Sequence, residues 1–312
     1  MHTLSIIIPV YNEAENIVKL LDEILISCQA FNPEIIIVDD GSTDGLQYAT
    51  LIGKSPQVHV LELSRNYGQS AALAAGIEFA TGEIIATMDG DLQNDPRDLV
   101  QMVNTLQSTQ SDIVIGNRVN RQDSYFRIQI SKVANAMIRS ATKVRIQDYG
   151  CTMKVMRKEI ANGLGLYGEL HRFIPVLAYL QGARLEQVDV HHRPRISGKS
   201  KYGYSRTLRV ASDLILVLFF QRFMKRPMHL FGTLGIIILL AGVCINIYMI
   251  YLKILGQDIW GKPLMLLGIF CVIAGIQLLT IGIFAELIMR TYYESQNKKT
   301  YRIRKIWEAP SP

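Results

Sequence analysis

The sequence predicts an α/β domain, a parallel sheet wrapped by helices, followed by an amphipathic interface helix and two transmembrane helices. Short β-branched runs alternate with longer amphipathic ones from residue 4 to about 117, the pattern of strands joined by helical crossovers. Two long uncharged runs fill the last third of the 312 residues. Lys and Arg crowd the flanks of those runs, which turns the net charge of +6 toward an anionic membrane surface and away from nucleic acid.

In chain order, Leu4–Val10, Glu34–Asp39, Val58–Leu63, Glu83–Met88 and Asp112–Gly116 read as strands, with helical patterns between most of them. Gly41-Ser42-Thr43-Asp44-Gly45 and Tyr67-Gly68-Gln69-Ser70 supply turn and helix-start chemistry. Residues 124–143 and 168–181 look helical, Arg184–His191 alternates like an edge strand, and His192–Tyr204 is a polar loop rich in Arg, Lys, Gly and Ser. Residues 206–226 return to helical spacing, with Leu208, Val210, Leu214, Ile215, Leu218 and Phe219 opposed to Arg206, Arg209 and Asp213; such a helix lies in a membrane interface or packs on the head.

Leu230–Leu252 and Leu264–Met289 are each long enough to span a hydrocarbon core of about 30 Å as helices. Arg222, Lys225 and Arg226 precede the pair, and Arg290, Lys298, Lys299, Arg302, Arg304 and Lys305 follow it. The heavier basic load outside the pair puts both termini on the cytoplasmic side of the cell's inner membrane, with a hairpin to the far side. The expected organisation is a catalytic domain over 1–205, a juxtamembrane segment over 206–229, a transmembrane hairpin over 230–290 and a cytoplasmic tail over 291–312. Pro9 breaks the first apolar stretch and no basic n-region precedes it, so the N-terminus reads as a strand and not a signal peptide. The four cysteines show no CxxC spacing and suggest neither a disulfide framework nor a zinc site.

Ligands of an open parallel sheet bind beyond the carboxyl ends of its strands, and three polar clusters fall there. Pro9-Val10-Tyr11-Asn12-Glu13 follows the first strand, Asp39-Asp40-Gly41-Ser42 the second, and Asp89-Gly90-Asp91-Leu92-Gln93 the fourth. Taken singly, Asn12 with Glu13 and Ser42 with Asp44 read equally well as helix caps. Asp89-x-Asp91 is sharper. In extended backbone these carboxylates point the same way, with Gln93 as a third oxygen donor, and a hard cation such as Mg²⁺ or Mn²⁺ suits that set. Held there, it would neutralise the charge building on a nucleotide leaving group.

These clusters, together with Asp148-Tyr149-Gly150-Cys151 and His192-Arg193-Pro194-Arg195 to Ser200-Lys201-Tyr202, resemble glycosyltransferase family 2, in its polyprenyl-phosphate branch. The two-helix tail is similar to that of bacterial undecaprenyl-phosphate sugar transferases, and Asn120-Arg121-Gln122-Asp123-Ser124 to those that transfer a formamido-arabinose. The resemblance implies a GT-A (Rossmann-like) fold and inverting transfer from a nucleotide sugar, preferably UDP-linked, to a polyprenyl phosphate lipid. It implies that Pro9, Tyr11 and Glu13 border the nucleoside, that Asp39 or Asp40 hydrogen-bonds the base, and that Asp89, Asp91 and Gln93 hold the metal. Arg118, Arg127 and Ser131 match positions that contact phosphates; Arg193, Arg195, Ser200 and Lys201 match a mobile basic loop over the site.

Asp148 matches a position that invites the role of general base. A phosphate acceptor needs no such help, since a monoester carries about −1.5 to −2 charges at pH 7. It needs positive charge around it, which Arg127, Arg193, Arg195 and Lys201 supply, so the expectation is that Asp148 orients the sugar or an arginine. A processive polysaccharide synthase shares such a head but carries a Gln-x-x-Arg-Trp motif absent from this sequence. An inactive nucleotide-sugar-binding scaffold is the non-enzymatic alternative, disfavoured by the complete acidic set. The sequence leaves the sugar, the polyprenyl length and any homo-oligomer open.

Overall fold

The computed structural model describes residues 3–119, 139, 144, 146–166, 170–194, 228–259, 262–294 and 303–308. The chain forms two compact units, one of residues 1–214 with 299–312 and the other of 215–298. The helix expected at 124–143 and the amphipathic helix at 206–226 fall, but for residue 139, outside the described residues.

The first unit is built on one eight-stranded sheet, β1 (Leu4–Val10), β2 (Glu34–Asp39), β3 (Val58–Leu63), β4 (Ile84–Thr87), β5 (Ile113–Arg118), β6 (Lys154–Arg157), β7 (Leu185–Val190) and β8 (Ile303–Trp307), in the spatial order β7-β5-β6-β4-β1-β2-β3-β8. Helices α1 (Ala14–Ser27), α2 (Tyr48–Ile52), α3 (Gln69–Phe79), α4 (Arg97–Ser108), α5 (Lys158–Asn162) and α6 (Ile174–Leu180) lie between the strands in sequence. The Ile- and Val-rich strands β1 and β2 are central and buried on both faces, which is why they read as continuous apolar runs without alternation. Ile17, Leu20, Leu21 and Ile24 of α1 and Leu99, Met102, Val103 and Leu106 of α4 pack into the same core as Ile6, Ile8, Ile35 and Ile37.

Two strands correct the all-parallel expectation. β6 enters between β4 and β5 and runs antiparallel to both. β8 comes from the segment expected to be a tail and pairs antiparallel with β3, placing Trp307 opposite Val60 and Ile306 opposite Leu61. It covers the edge that β3 would otherwise leave unpaired. The other pairs, β1 with β2 and β4, β2 with β3, and β5 with β7, are parallel as expected, and β7 is the predicted edge strand.

The second unit holds α7 (Met228–Ile254) and α8 (Pro263–Glu294). Phe231–Ile254 and Pro263–Ala285 are long and apolar enough to cross a membrane, with mean hydropathies of 2.4 and 2.5. Core helices of a soluble domain would bury these residues, yet only 17% and 11% of the two apolar windows are buried. The helices approach closely through small residues, the usual device where lipid removes the hydrophobic drive for association. A Cβ on Gly242 would stand 2.7 Å from the Val272 backbone nitrogen and 2.8 Å from the Gly268 carbonyl.

Candidate functional site

The carboxyl ends of β1, β2, β4 and β5 carry the polar clusters, and hydrogen bonds stitch them together. The loops after β1 and β2 exchange bonds: Asn12 N donates to Ser42 Oγ at 2.9 Å, Thr43 N to Asn12 Oδ1 at 2.8 Å, and Ala14 N to Asp44 Oδ2 at 2.8 Å. Asp44 therefore serves the start of α1, a capping role realised between loops and not within one. Glu13 accepts from Asn16 Nδ2 at 2.7 Å, while Tyr11 beside it is 36% exposed. Gly41 sits at φ +74, and a Cβ there would lie 2.7 Å from the Arg65 backbone, so the β2 loop meets the β3 loop only as glycine.

Asp39 and Asp40 part company. Asp39 is fully buried; its Oδ1 accepts from Ser42 N at 2.9 Å and Ser42 Oγ at 2.5 Å, and its Oδ2 from the Tyr48 hydroxyl. Asp40 accepts from the backbone N–H groups of Tyr67 at 2.7 Å and Gly68 at 2.8 Å, and so organises the entry to α3. Burial pushes the Asp40 carboxyl above its ordinary value, and those two amides oppose the shift. Both carboxylates thus shape the loops of the site.

β4 ends at Thr87, and Leu92 lies at φ 61, so the extended alternation expected to align Asp89, Asp91 and Gln93 is broken. Gln93 Nε2 instead donates to the Arg193 carbonyl at 3.4 Å. Asp89 and Asp91 nevertheless stay close enough that the charge of Asp91, after burial, raises the Asp89 carboxyl well above its ordinary value, against the Thr152 hydrogen bond and the Lys154 and Arg118 charges. Gln69 Nε2 donates to Asp89 Oδ1 at 2.7 Å. Two carboxylates held together against mutual repulsion are a donor set that fits a hard divalent cation. Among the described residues, no third His, Cys, Asp or Glu joins them.

Arg118, at the end of β5, forks onto Asp148, Nε to Oδ2 at 2.6 Å and Nη2 to Oδ1 at 3.0 Å, and Gly150 N adds a bond to Oδ1 at 3.1 Å. The two side chains are 15% and 5% exposed. This is the bidentate geometry that fixes a guanidinium plane. Lys154, buried at the start of β6, donates to the Cys151 carbonyl, and burial lowers its pKa against the pull of Cys151, Asp89 and Asp148. A cleft lined by Pro9, Gln69, Asp89, Thr152, Lys154 and His171 adjoins the acidic pair. His171 there is buried and neutral, its imidazole pushed down to about 3 by burial and by the charges of Arg172 and Lys154, with Ser70 Oγ 3.0 Å from Nδ1.

The start of the basic loop returns to the same place. Arg193 N donates to the Gln93 carbonyl at 2.8 Å, and Asn94 bridges His192. The Arg193 guanidinium meets Glu23 at 2.7 Å and Asp95 at 2.9 Å. Burial works against the Asp95 charge, but Arg97 and Arg193 hold that carboxyl well below the usual carboxylate range. Arg193 is accordingly held in an ion-pair network with Glu23 and Asp95 at the loop's root. Arg127, Ser131, Arg195, Ser200 and Lys201 lie outside the described residues. Gln69, Lys154, Thr152 and Tyr48 are site partners that sequence reasoning missed. A lysine inside the apolar run Met153–Met156 was the available signal for one of them.

An open α/β sheet with paired carboxylates and a forked arginine beyond its strand ends defines a site for an anionic, metal-associated ligand. Residues 5–165 match glycosyl transferase family 2, and the chain belongs to that family. A dodecaprenyl-phosphate galacturonate synthase of Rhizobium johnstonii is 40% identical over 99% of this chain and 94% of its own length. An undecaprenyl-phosphate 4-deoxy-4-formamido-L-arabinose transferase of Photorhabdus laumondii is 33% identical over 97% of this chain and 93% of its own. Among solved structures, glucosyl-3-phosphoglycerate synthase from Mycobacterium tuberculosis superposes with a TM-score of 0.55 at 16% identity, covering 70% of this chain and 80% of that one. The same synthase in complex with Mn²⁺ and UDP-glucose gives 0.54 at 16% identity over 70% and 79%. At these identities the structural likeness bears on the fold, which is of the GT-A kind.

Proposed function

We propose that the chain transfers a sugar, with inversion, from a UDP-linked donor to a polyprenyl phosphate. The observation that carries this is the joint presence, in one chain, of the acidic pair Asp89 and Asp91 beside the Arg118–Asp148 fork and of two helices apolar enough to cross a membrane. The relatives that match it end to end are by name polyprenyl-phosphate enzymes. The sugars in those names, galacturonate and formamido-arabinose, are the first two to test.

Asp89 and Asp91, with Gln93 brought near by its backbone, would hold Mg²⁺ or Mn²⁺. Its chemistry there would be neutralisation of diphosphate charge on the leaving nucleotide. The remaining work belongs to the chain. Asp148 holds the Arg118 fork in one plane, so that Arg118 meets phosphate oxygens without reorganising. Tyr11 and Glu13 border the nucleoside. The acceptor monoester is already anionic and nucleophilic, so no side chain of the site is needed to take its proton. Arg127, Arg195, Ser131, Ser200 and Lys201 stay in the proposal as acceptor- and phosphate-binding residues on the resemblance alone.

Connectivity supports a topology with both termini on one side. β8, after the second apolar helix, pairs with β3, before the first. Two crossings return the chain to the side on which the head sits, and the basic flanks support that side being the cytoplasmic face of the inner membrane. The function is tested by incubating purified protein with polyprenyl phosphate and single UDP-sugars. Release of UDP that needs the lipid and an added divalent cation is expected, and release that ignores the lipid would contradict it.

A further inference from the structure

β8 contributes more than an edge. Its register puts Trp307 opposite Val60, where the indole ring reaches Tyr48, centroids 5.2 Å apart and planes tilted by 41°. Tyr48 opens α2, and its hydroxyl donates to Asp39 Oδ2. Asp39 in turn holds Ser42 through both the backbone N–H and the hydroxyl, Ser42 Oγ accepts from Asn12 N, and Asn12 lies between Tyr11 and Glu13. A continuous chain of contacts therefore runs from the C-terminal strand to the two loops that would border a nucleoside.

The anchoring of β8 is specific. Glu62 of β3 takes both of its tail partners, Arg304 Nη1 at 2.9 Å and Trp307 Nε1 at 3.3 Å, and Arg304 Nη2 also donates to the Ser64 carbonyl at 2.8 Å. Lys305 Nζ stands 3.6 Å from the centroid of the indole ring. A strand needed only to cover a sheet edge is served by its backbone bonds; these side-chain contacts choose one register and one indole orientation. At the other end, burial and the Asp39 bond raise the Tyr48 phenol, so it stays a donor and keeps the buried carboxylate in one rotamer. A carboxylate offers about four acceptor positions, and Ser42 and Tyr48 fill three of those on Asp39.

We propose that Trp307 and Tyr48 are positioning residues for the nucleoside half of the donor site, so that docking of the C-terminal strand sets the enzyme's affinity for its nucleotide. The inference rests on the reading of the Tyr11–Glu13 and Asp39–Ser42 loops as a nucleoside subsite. It adds the C-terminal strand, a part of the chain far from those loops in sequence.

The test uses the full chain in detergent micelles and titration calorimetry with two probes, UDP and inorganic pyrophosphate, each with Mg²⁺. Tyr48→Phe, which keeps the ring and its packing, and Trp307→Ala should each weaken UDP binding by about tenfold, the weight of one ordered hydrogen bond. Pyrophosphate binding, which needs no nucleoside subsite, should stay within about twofold of wild type. Trp307→Phe should recover most of the loss, and the double variant should be no worse than the weaker single one. In turnover, the change should appear in KM for the donor and leave kcat and the lipid dependence in place. UDP affinity unchanged in Tyr48→Phe, or UDP and pyrophosphate weakened together, would overturn the inference. Failure of the wild type itself to bind UDP would instead remove the nucleotide reading on which it stands.

Discussion

Replacing Asp148 by Asn separates the two roles a carboxylate can play at this position. In the structure both of its oxygens face Arg118, at 2.6 and 3.0 Å, and the pair is largely withdrawn from water. Breaking a buried pair by deleting one partner costs about 3–5 kcal/mol, but Asn keeps the shape and one acceptor. With Arg118 no longer fixed by two acceptors, kcat/KM should fall by roughly 30- to 150-fold, which corresponds to about 2–3 kcal/mol of transition-state stabilisation. The assay is lipid-dependent UDP release between pH 6 and 9 for wild type, Asp148→Asn, Arg118→Lys and the double variant. If Asp148 positions Arg118, the profile falls in parallel at every pH, Arg118→Lys loses a similar factor because a point charge cannot replace the fork, and the double variant adds little to either single one. Loss in Asp148→Asn alone of an acidic limb present in wild type would refute the reasoning and restore a general base.

The remaining predictions concern the metal, the buried histidine, the helix pair and the topology. Asp91→Asn should leave the melting temperature within a few degrees of wild type and lower kcat by about two to three orders of magnitude; full activity in EDTA would remove the metal role. His171 is neutral in the fold with its pKa pushed down to about 3, against an ordinary 6.5, so the unfolded chain binds the extra proton between those values. Its contribution to stability is present above about pH 6.5 and is lost as pH falls toward 3. His171→Gln should flatten the fall in melting temperature over that window, and an unchanged slope would contradict the burial of a neutral ring. Gly242→Leu should separate α7 from α8, since even a Cβ would press on the Val272 backbone; the expected readout is a loss of detergent-stable protein with the head still binding UDP. A reporter after Pro312 should be cytoplasmic and a tag at Gln257 reachable only from the opposite side, and reversed labelling would defeat the topology.

The central strands were legible because β1, β2 and β3 are short runs rich in Ile, Val and Leu followed by polar loop residues, and their boundaries fall where the pattern places them. The apolar helices were legible from length alone. β6 was not, since four residues with a lysine at the first position carry no period, and only the non-local pairing with β4 and β5 makes them a strand. β8 was hidden by its own charges: Arg304 and Lys305 read as a basic tail, and the partner that makes them a strand lies at Glu62 and Leu63. In the site, strand ends and acidic clusters were visible, but the direction of each side chain was not. Leu92 in the left-handed region breaks the extended alternation before Gln93, and Asp95 draws Arg193 to the loop's root. Neither effect leaves a local sequence signal.

The most direct test of the account is the identity of the product. Purified protein, undecaprenyl or dodecaprenyl phosphate, Mg²⁺ or Mn²⁺ and UDP-galacturonate or a UDP-linked formamido-arabinose are incubated together, and the lipid fraction is read by mass spectrometry. The account predicts a polyprenyl phosphate carrying one sugar residue with one of the donors and none without lipid. A water-soluble polymer, or lipid recovered unchanged while a donor is consumed, would contradict it.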